Sequence, residues 1–272
     1  MKTEIIKAFN AYRDIVFAID TDLNFWKSFL GGAINDYRIK NPLQIDLYQA
    51  GFFVYDLSSS SDSGRLKGHN EIRSIETLDL EKYSNDFFHW ISNLAILKNY
   101  NALENFIFRA IQIKYFNHTR HSFGSKKAIE QMNIDIKSYL KENDLSVDTK
   151  NNRHVVQFLK NKSNEISSFL LLPMRVDLKT SWENFFELIS ILRNIIAHQG
   201  TIVNVDTHNE IKSRAKDVFQ RHFIITEGIE GCQNLQPNNE QYSNFLNFFN
   251  DFSLNVVKFM FEEDDLKFLG MN

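Results

Sequence analysis

Apolar residues along this chain recur mainly at spacings of three and four, the period of a helix with one buried face. Between Thr3 and about Phe29 the positions Ile6, Phe9, Ile15, Phe17, Ile19, Leu23 and Phe25 follow that spacing, predicting one or two helices with a break near Asp20 to Asp22. Gly31 and Gly32 fit the end of that element. The stretch Leu43 to Leu57 is compatible either with a helix or with a short hairpin about Gly51, and periodicity does not choose between them. The run Ser58 to Gly64 reads as an exposed loop and the best candidate for a boundary. The expectation is an N-terminal helical extension over residues 1–70, either separate from or part of the same domain as a helical bundle over 71–272.

Within the second part the pattern predicts helices over Leu80 to Leu97 and Ala102 to Phe116, broken around Asn99 to Asn101. It then predicts Ser125 to Glu142, and Arg153 to Leu172 stopped by Pro173. Ser181 is placed to cap the next helix, which runs to His198 and stops at Gly200. Ile202 to Val205 and His222 to Ile229 read as short strands around a charged helix, Asn209 to Phe219, and a Phe-rich helix closes the pattern over Gln241 to Phe261. Twenty-five Phe against three Pro and ten Gly agree with long packed helices rather than a turn-rich sandwich, so the expected class is all-α. No internal repeat is visible.

Charge and cysteine usage narrow the setting. The net charge is −3, so a nucleic-acid partner would have to meet a local concentration of basic groups rather than a basic surface. One cysteine, Cys232, excludes an internal disulfide and any CxxC zinc motif, and a cytoplasmic location is expected. Charges punctuate the first twenty residues, so neither a signal peptide nor a membrane span is expected. P-loop, GxGxxG, GxSxG and HExxH patterns are absent.

The sharpest chemical signal is RNIIAH, Arg193 to His198. On a helical wheel Glu183, Glu187, Ser190, Asn194 and His198 share one side, opposite Phe185, Leu188, Ile189, Leu192, Ile195 and Ile196, with Arg193 on the flank. An amphipathic helix docked by its apolar face would turn that stripe outward. Asn194 and His198 are neighbours at i, i+4, so the amide can orient the imidazole for proton transfer. Arg193 suits two-point contact with a phosphate. A proton-moving histidine and a phosphate-holding arginine are enough to turn a ribose 2′-hydroxyl against its own phosphodiester. Read without further context, both residues also fit a helix C-terminus, where positive charge is favourable.

The string LRNIIAHQG, with four residues between Arg193 and His198 and a polar residue directly after the arginine, resembles the signature of the HEPN superfamily. The longer string WENFFELISILRNIIAHQGTIVN is similar in layout to the corresponding helix of HEPN-type abortive-infection proteins. This resemblance implies a helical bundle that dimerises so that two motif helices form one composite site. It further implies metal-independent endoribonuclease activity without a cofactor, in phage defence, toxin–antitoxin or RNA-processing settings, with RNA as partner and, in a toxin–antitoxin setting, an antitoxin protein. Arg193, Asn194 and His198 would be the catalytic set. The alternative is a non-catalytic bundle of the same kind that binds RNA or a protein.

Two further groups are candidates for substrate contact. The segment KYFNHTRHSFGSKK gathers Lys114 and Arg120 among aromatics, as single-stranded RNA binding would use, although a solvated loop with aromatics in the core explains it as well. His118 and His121 have no evident third ligand, so no metal site is expected there. Glu104 and Arg109 could reach the motif from the preceding helix, or Arg109 could simply pair with a carboxylate.

Overall fold

The computed structural model describes residues 2–41, 46–60, 66–116, 126–227, 233–238 and 240–261. It is mostly helical, with eight α-helices and small antiparallel sheets among the described residues. The chain divides into two units, one of residues 1–23 with 91–272 and one of residues 24–90.

The larger unit holds the start of α1 (Lys2–Lys40), the end of α2 (Leu80–Ile111), α3 (Lys126–Glu142), α4 (Arg153–Lys162) and α5 (Asn164–Leu171). The hairpin β3–β4 (Pro173–Arg175, Leu178–Ser181) leads directly into α6 (Trp182–His198), and α7 (Val205–His222) and α8 (Tyr242–Phe261) complete the bundle. Three short strands, β5 (Ile202–Val203), β6 (Phe223–Glu227) and β7 (Gln233–Pro237), pair antiparallel in the order β5-β7-β6. The β excursion expected after the motif helix is this sheet.

Helix α6 is the centre of the unit. Ser181 caps it by accepting from the Asn184 backbone N–H at 3.3 Å, and Gly200, at a φ of +56°, turns the chain away just beyond its end. Phe185 is fully buried, edge-on to Phe245, Phe248 and Phe249 of α8 with ring centroids 5.7 to 5.9 Å apart. Ile5, Phe9, Tyr12 and Val16 of α1 lie in the same core, with Tyr12 stacked on Phe106 of α2 at 5.2 Å. Residues 2–23 are thus part of the bundle. Asp217 of α7 ties β4 down by accepting from Thr180 Oγ1 and from the backbone N–H groups of Lys179 and Thr180. Partial burial pushes the Asp217 carboxyl up, but those hydrogen bonds outweigh it and hold the group below the usual carboxylate range.

Several predicted breaks do not occur. Helix α1 runs through Asp20 to Asp22 and through Gly31 and Gly32, and α2 runs through Asn99, whose side-chain amide donates to the Ala95 carbonyl one turn back while its Oδ1 is buried without a partner. Conversely, the helix expected over Arg153 to Leu172 is two, broken at Ser163, whose hydroxyl caps α5.

The smaller unit comprises the end of α1, a hairpin of β1 (Asp46–Ser60) and β2 (Leu66–Glu76), a short 3₁₀ turn and the start of α2. The N-terminal segment expected to be helical therefore carries a long antiparallel ladder. Gly51 is not its turn but lies mid-strand opposite Ile72. Among the described residues of 24–90 none is buried.

Candidate functional site

The site is assembled around the C-terminal half of α6. Arg193 Nη1 donates to Asn194 Oδ1 at 2.9 Å and lies 3.4 Å from His198 Nε2. A guanidinium only donates, so in this contact the ring nitrogen is on the accepting side. The three motif side chains are therefore in one chain of contacts. The arginine, rather than the asparagine, touches the ring. Asn194 holds the arginine instead. His198 is exposed and Arg193 half-buried, its Nε shielded from water without a hydrogen-bond partner.

Asn194 also faces a cleft of about 500 Å³, lined among others by Asn151, Gln199, Asn204, Thr207 and Glu210. Its amide nitrogen lies 3.5 Å from Asn151 Oδ1. Asn151 and Asn152, just before α4, both adopt left-handed backbone angles, φ 51° and 59°. Asparagine is the side-chain-bearing residue that tolerates this region best. The consequence is that their amides point in different directions. Asn151 donates to Glu210 Oε1 of α7 at 3.2 Å. Asn152 donates to Glu104 Oε1 at 2.8 Å and to the Tyr100 hydroxyl at 2.5 Å, both on α2.

Tyr100 connects α2 to the motif helix. Its hydroxyl lies 2.9 Å from Glu104 Oε1, its acceptor, and 3.4 Å from Ser190 Oγ, one turn before the motif. Burial, reinforced by the Glu104 carboxylate, raises the phenol well above its ordinary value, so it stays protonated and works as a fixed donor.

A second cluster braces α6 from the other side. Glu187 is 2 % exposed. It accepts from Arg153 at 3.2 and 3.4 Å and pairs with Arg214 of α7 at 3.3 Å. Arg153 continues to Glu210 at 3.2 Å and to Asp148 at 2.9 Å, and Lys150 reaches Glu210 at 2.8 Å. The hydrogen bond from Arg153 holds the Asp148 carboxyl below its usual range.

The polar stripe of α6 is therefore not turned outward along its length. Glu187 and Ser190 are buried, and only the His198 end is open. A wheel separates polar from apolar positions but does not show that α2, α4 and α7 bring polar partners to the polar side. Sequence reading missed Tyr100, Asn151, Asn152, Arg153 and Glu210. The Asn151–Asn152 doublet was the available signal, since adjacent asparagines before a helix suit left-handed turns.

The other candidates fall elsewhere. Glu104 reaches α6 through Tyr100. Arg109 pairs with Glu4 at 3.4 Å and donates to Gln112 at 2.5 Å, in the small cavity beside Met132. Lys114, in a π-helical turn after α2, lies with Nζ 5.6 Å from the Phe261 ring. No contact joins either cation to the motif among the described residues. Arg120, with His118 and His121, lies outside the described residues, as does Cys232.

Among the described residues no group of three or more His, Cys, Asp or Glu side chains is gathered to hold a metal ion, and no helix is long and apolar enough to cross a membrane. Comparison with protein-family models, curated proteins and solved structures finds no match.

Proposed function

We propose that this chain is a metal-independent endoribonuclease of HEPN type, acting as a homodimer whose two motif helices complete one site, in phage defence or as a toxin restrained by an antitoxin protein. The observation that carries the reading is the contact of Arg193 with both Asn194 and His198, at the exposed C-terminal end of a helix whose middle is buried. In this chemistry His198 Nε2 accepts the proton of a ribose 2′-hydroxyl while the 2′-oxygen attacks the adjacent phosphorus. The bond from phosphorus to the 5′-oxygen breaks, leaving a 2′,3′-cyclic phosphate. The departing oxygen takes a proton from the protonated histidine of the second copy. Arg193 neutralises the charge that builds on the phosphoryl oxygens, and Asn194 positions it. The neighbouring cleft, walled by carboxamides, offers donors and acceptors to an unstacked base.

The test is incubation of purified protein with single-stranded and structured RNAs in EDTA. His198→Ala and Arg193→Ala should each lower the cleavage rate by about 100-fold or more, with products ending in cyclic phosphate. Equal cutting by wild type and His198→Ala, or no cutting of any RNA, would overturn catalysis. RNA binding that Arg193→Ala weakens, with no product, would assign the site to binding alone.

A further inference from the structure

The cleft beside the motif is apolar at its base and polar at its rim. Ile191 and Ile195 of α6, both buried, form its floor, and every other residue that lines it is polar or charged. A flat heterocycle matches that arrangement, because its faces are apolar and its edges carry hydrogen-bonding groups. Much of the rim is already engaged. Glu210 accepts from Lys150, Asn151 and Arg153. Asn194 commits its Oδ1 to Arg193, and Asn204 commits its Oδ1 to the Thr207 backbone N–H as the cap of α7. Three groups just past the end of α6 and on the first turn of α7 remain unused among the described residues: the Gln199 amide, the Asn204 Nδ2 and the Asp206 carboxylate.

Charge divides a nucleotide between the cleft and the motif. The one cation of the lining, Lys150, is held by Glu210, and Asp206 carries an uncompensated negative charge, so a phosphate is unwelcome inside. Arg193 is the place for it, and Asn194 links the two, with Oδ1 on the guanidinium and Nδ2 turned toward Asn151 on the cleft side. A nucleotide that carries its base, its 2′-hydroxyl and its 3′-phosphate on a single sugar can span that short distance.

We propose that the cleft is a guanine pocket, in which Asp206 accepts from N1–H and the exocyclic N2 amine while an amide of Gln199 or Asn204 donates to O6, so that the chain cuts RNA on the 3′ side of guanosine. A carboxylate only accepts, and guanine is the base whose pairing edge sets two N–H donors side by side. Adenine and cytosine place a lone pair beside their single amine, and uracil flanks its one N–H with two carbonyls. Against Asp206 each of those edges sets acceptor against acceptor, and a buried mismatch of that kind is what rejects the wrong ligand. The position of the cut rests on the ribonuclease reading; the base preference does not.

The test measures binding before cleavage. The full chain, in EDTA, is titrated with 3′-GMP, 3′-AMP, 3′-CMP and 3′-UMP to millimolar concentration, read by the backbone amide NMR signals of Asn204 and Thr207. The guanine nucleotide should bind about 10-fold or more tightly than the other three, the order by which a bidentate pair discriminates. Inosine 3′-monophosphate, which lacks only the N2 amine, should lose most of that advantage. Asp206→Asn, which sets an NH₂ against one of guanine's donors, should abolish the preference. Equal binding of all four, binding of none, or a preference that survives Asp206→Asn would overturn the proposal. So would an Asp206→Asn variant that binds all four more tightly alike, which would make Asp206 a repelling charge and nothing more. On an RNA with one G among A, C and U, the product should end in guanosine 2′,3′-cyclic phosphate. Cutting elsewhere would sink the pocket and leave the ribonuclease standing, whereas selective 3′-GMP binding with no cutting of any RNA would keep the pocket and sink the ribonuclease.

Discussion

Replacing Glu187 with Gln is the most informative single perturbation of the scaffold behind the motif. The change keeps the side chain's shape and removes one charge from a position only 2 % exposed. Three contacts are at stake, two from Arg153 and one from Arg214. A glutamine has one acceptor oxygen, and its NH₂ would face guanidinium donors, so at least one contact becomes donor against donor. Breaking a buried ion pair costs about 3–5 kcal/mol when it leaves a charge stranded. Here Arg153 keeps Asp148 and Glu210, and Arg214, with its side chain 38 % exposed, can rehydrate. The expected loss is therefore at or just below the lower end, about 2–3 kcal/mol. At roughly 2–4 °C per kcal/mol for a chain of this size, Tm should fall by roughly 5–10 °C in differential scanning calorimetry at neutral pH. Arg214→Gln, which removes only the more exposed partner, should cost less than half as much. A Tm for Glu187→Gln within about 1 °C of wild type, or a larger fall for Arg214→Gln, would refute the idea that the carboxylate is the hub.

Three further outcomes follow from the packing. His154 is buried, and burial followed by the nearby Lys137 lowers its pKa to about 4. The unfolded chain therefore takes up this proton first as pH falls, and stability should decline between pH 6.5 and 4, by about 3 kcal/mol for this group at 1.36 kcal/mol per unit. Urea titrations across that range should show the decline reduced by that amount in His154→Gln. Gly200→Ala should cost about 1 kcal/mol through its left-handed backbone alone, because no atom crowds the added Cβ, and a neutral or stabilising effect in thermal melts would contradict this. Phe185→Ala, at the centre of the aromatic core, should cost about 3–5 kcal/mol by chemical denaturation.

What was legible in the sequence was what local chemistry decides. Both ends of α6 were readable, because Ser181 caps in place and Gly200 takes a conformation other residues resist. The final Phe-rich helix and the strands around α7 were readable for the same reason. The hairpin was not resolved, since Leu43 to Leu57 carries apolar residues at spacings that suit either state and pairing with β2 decides the matter. Asn99 read as a break because the sequence does not show that its amide will bond one turn back in the core. At the site, Arg193, Asn194 and His198 were visible because they are contiguous. Tyr100 and Arg153 were not, because they meet α6 only across long stretches of chain, and Glu210 was not, because it joins the cluster through Lys150, Asn151 and Arg153.

That contrast has a consequence for how the site can change. The contacts among Arg193, Asn194 and His198 span six residues of one helix, so they form as soon as that turn forms and owe nothing to loop closure. The supports Tyr100 and Arg153 lie 90 and 34 residues in sequence from Ser190 and Glu187, the α6 residues they touch. The reactive group and its aim are thus encoded separately: substitutions in distant helices can re-aim an intact group, while a change within six residues can erase it without disturbing the scaffold.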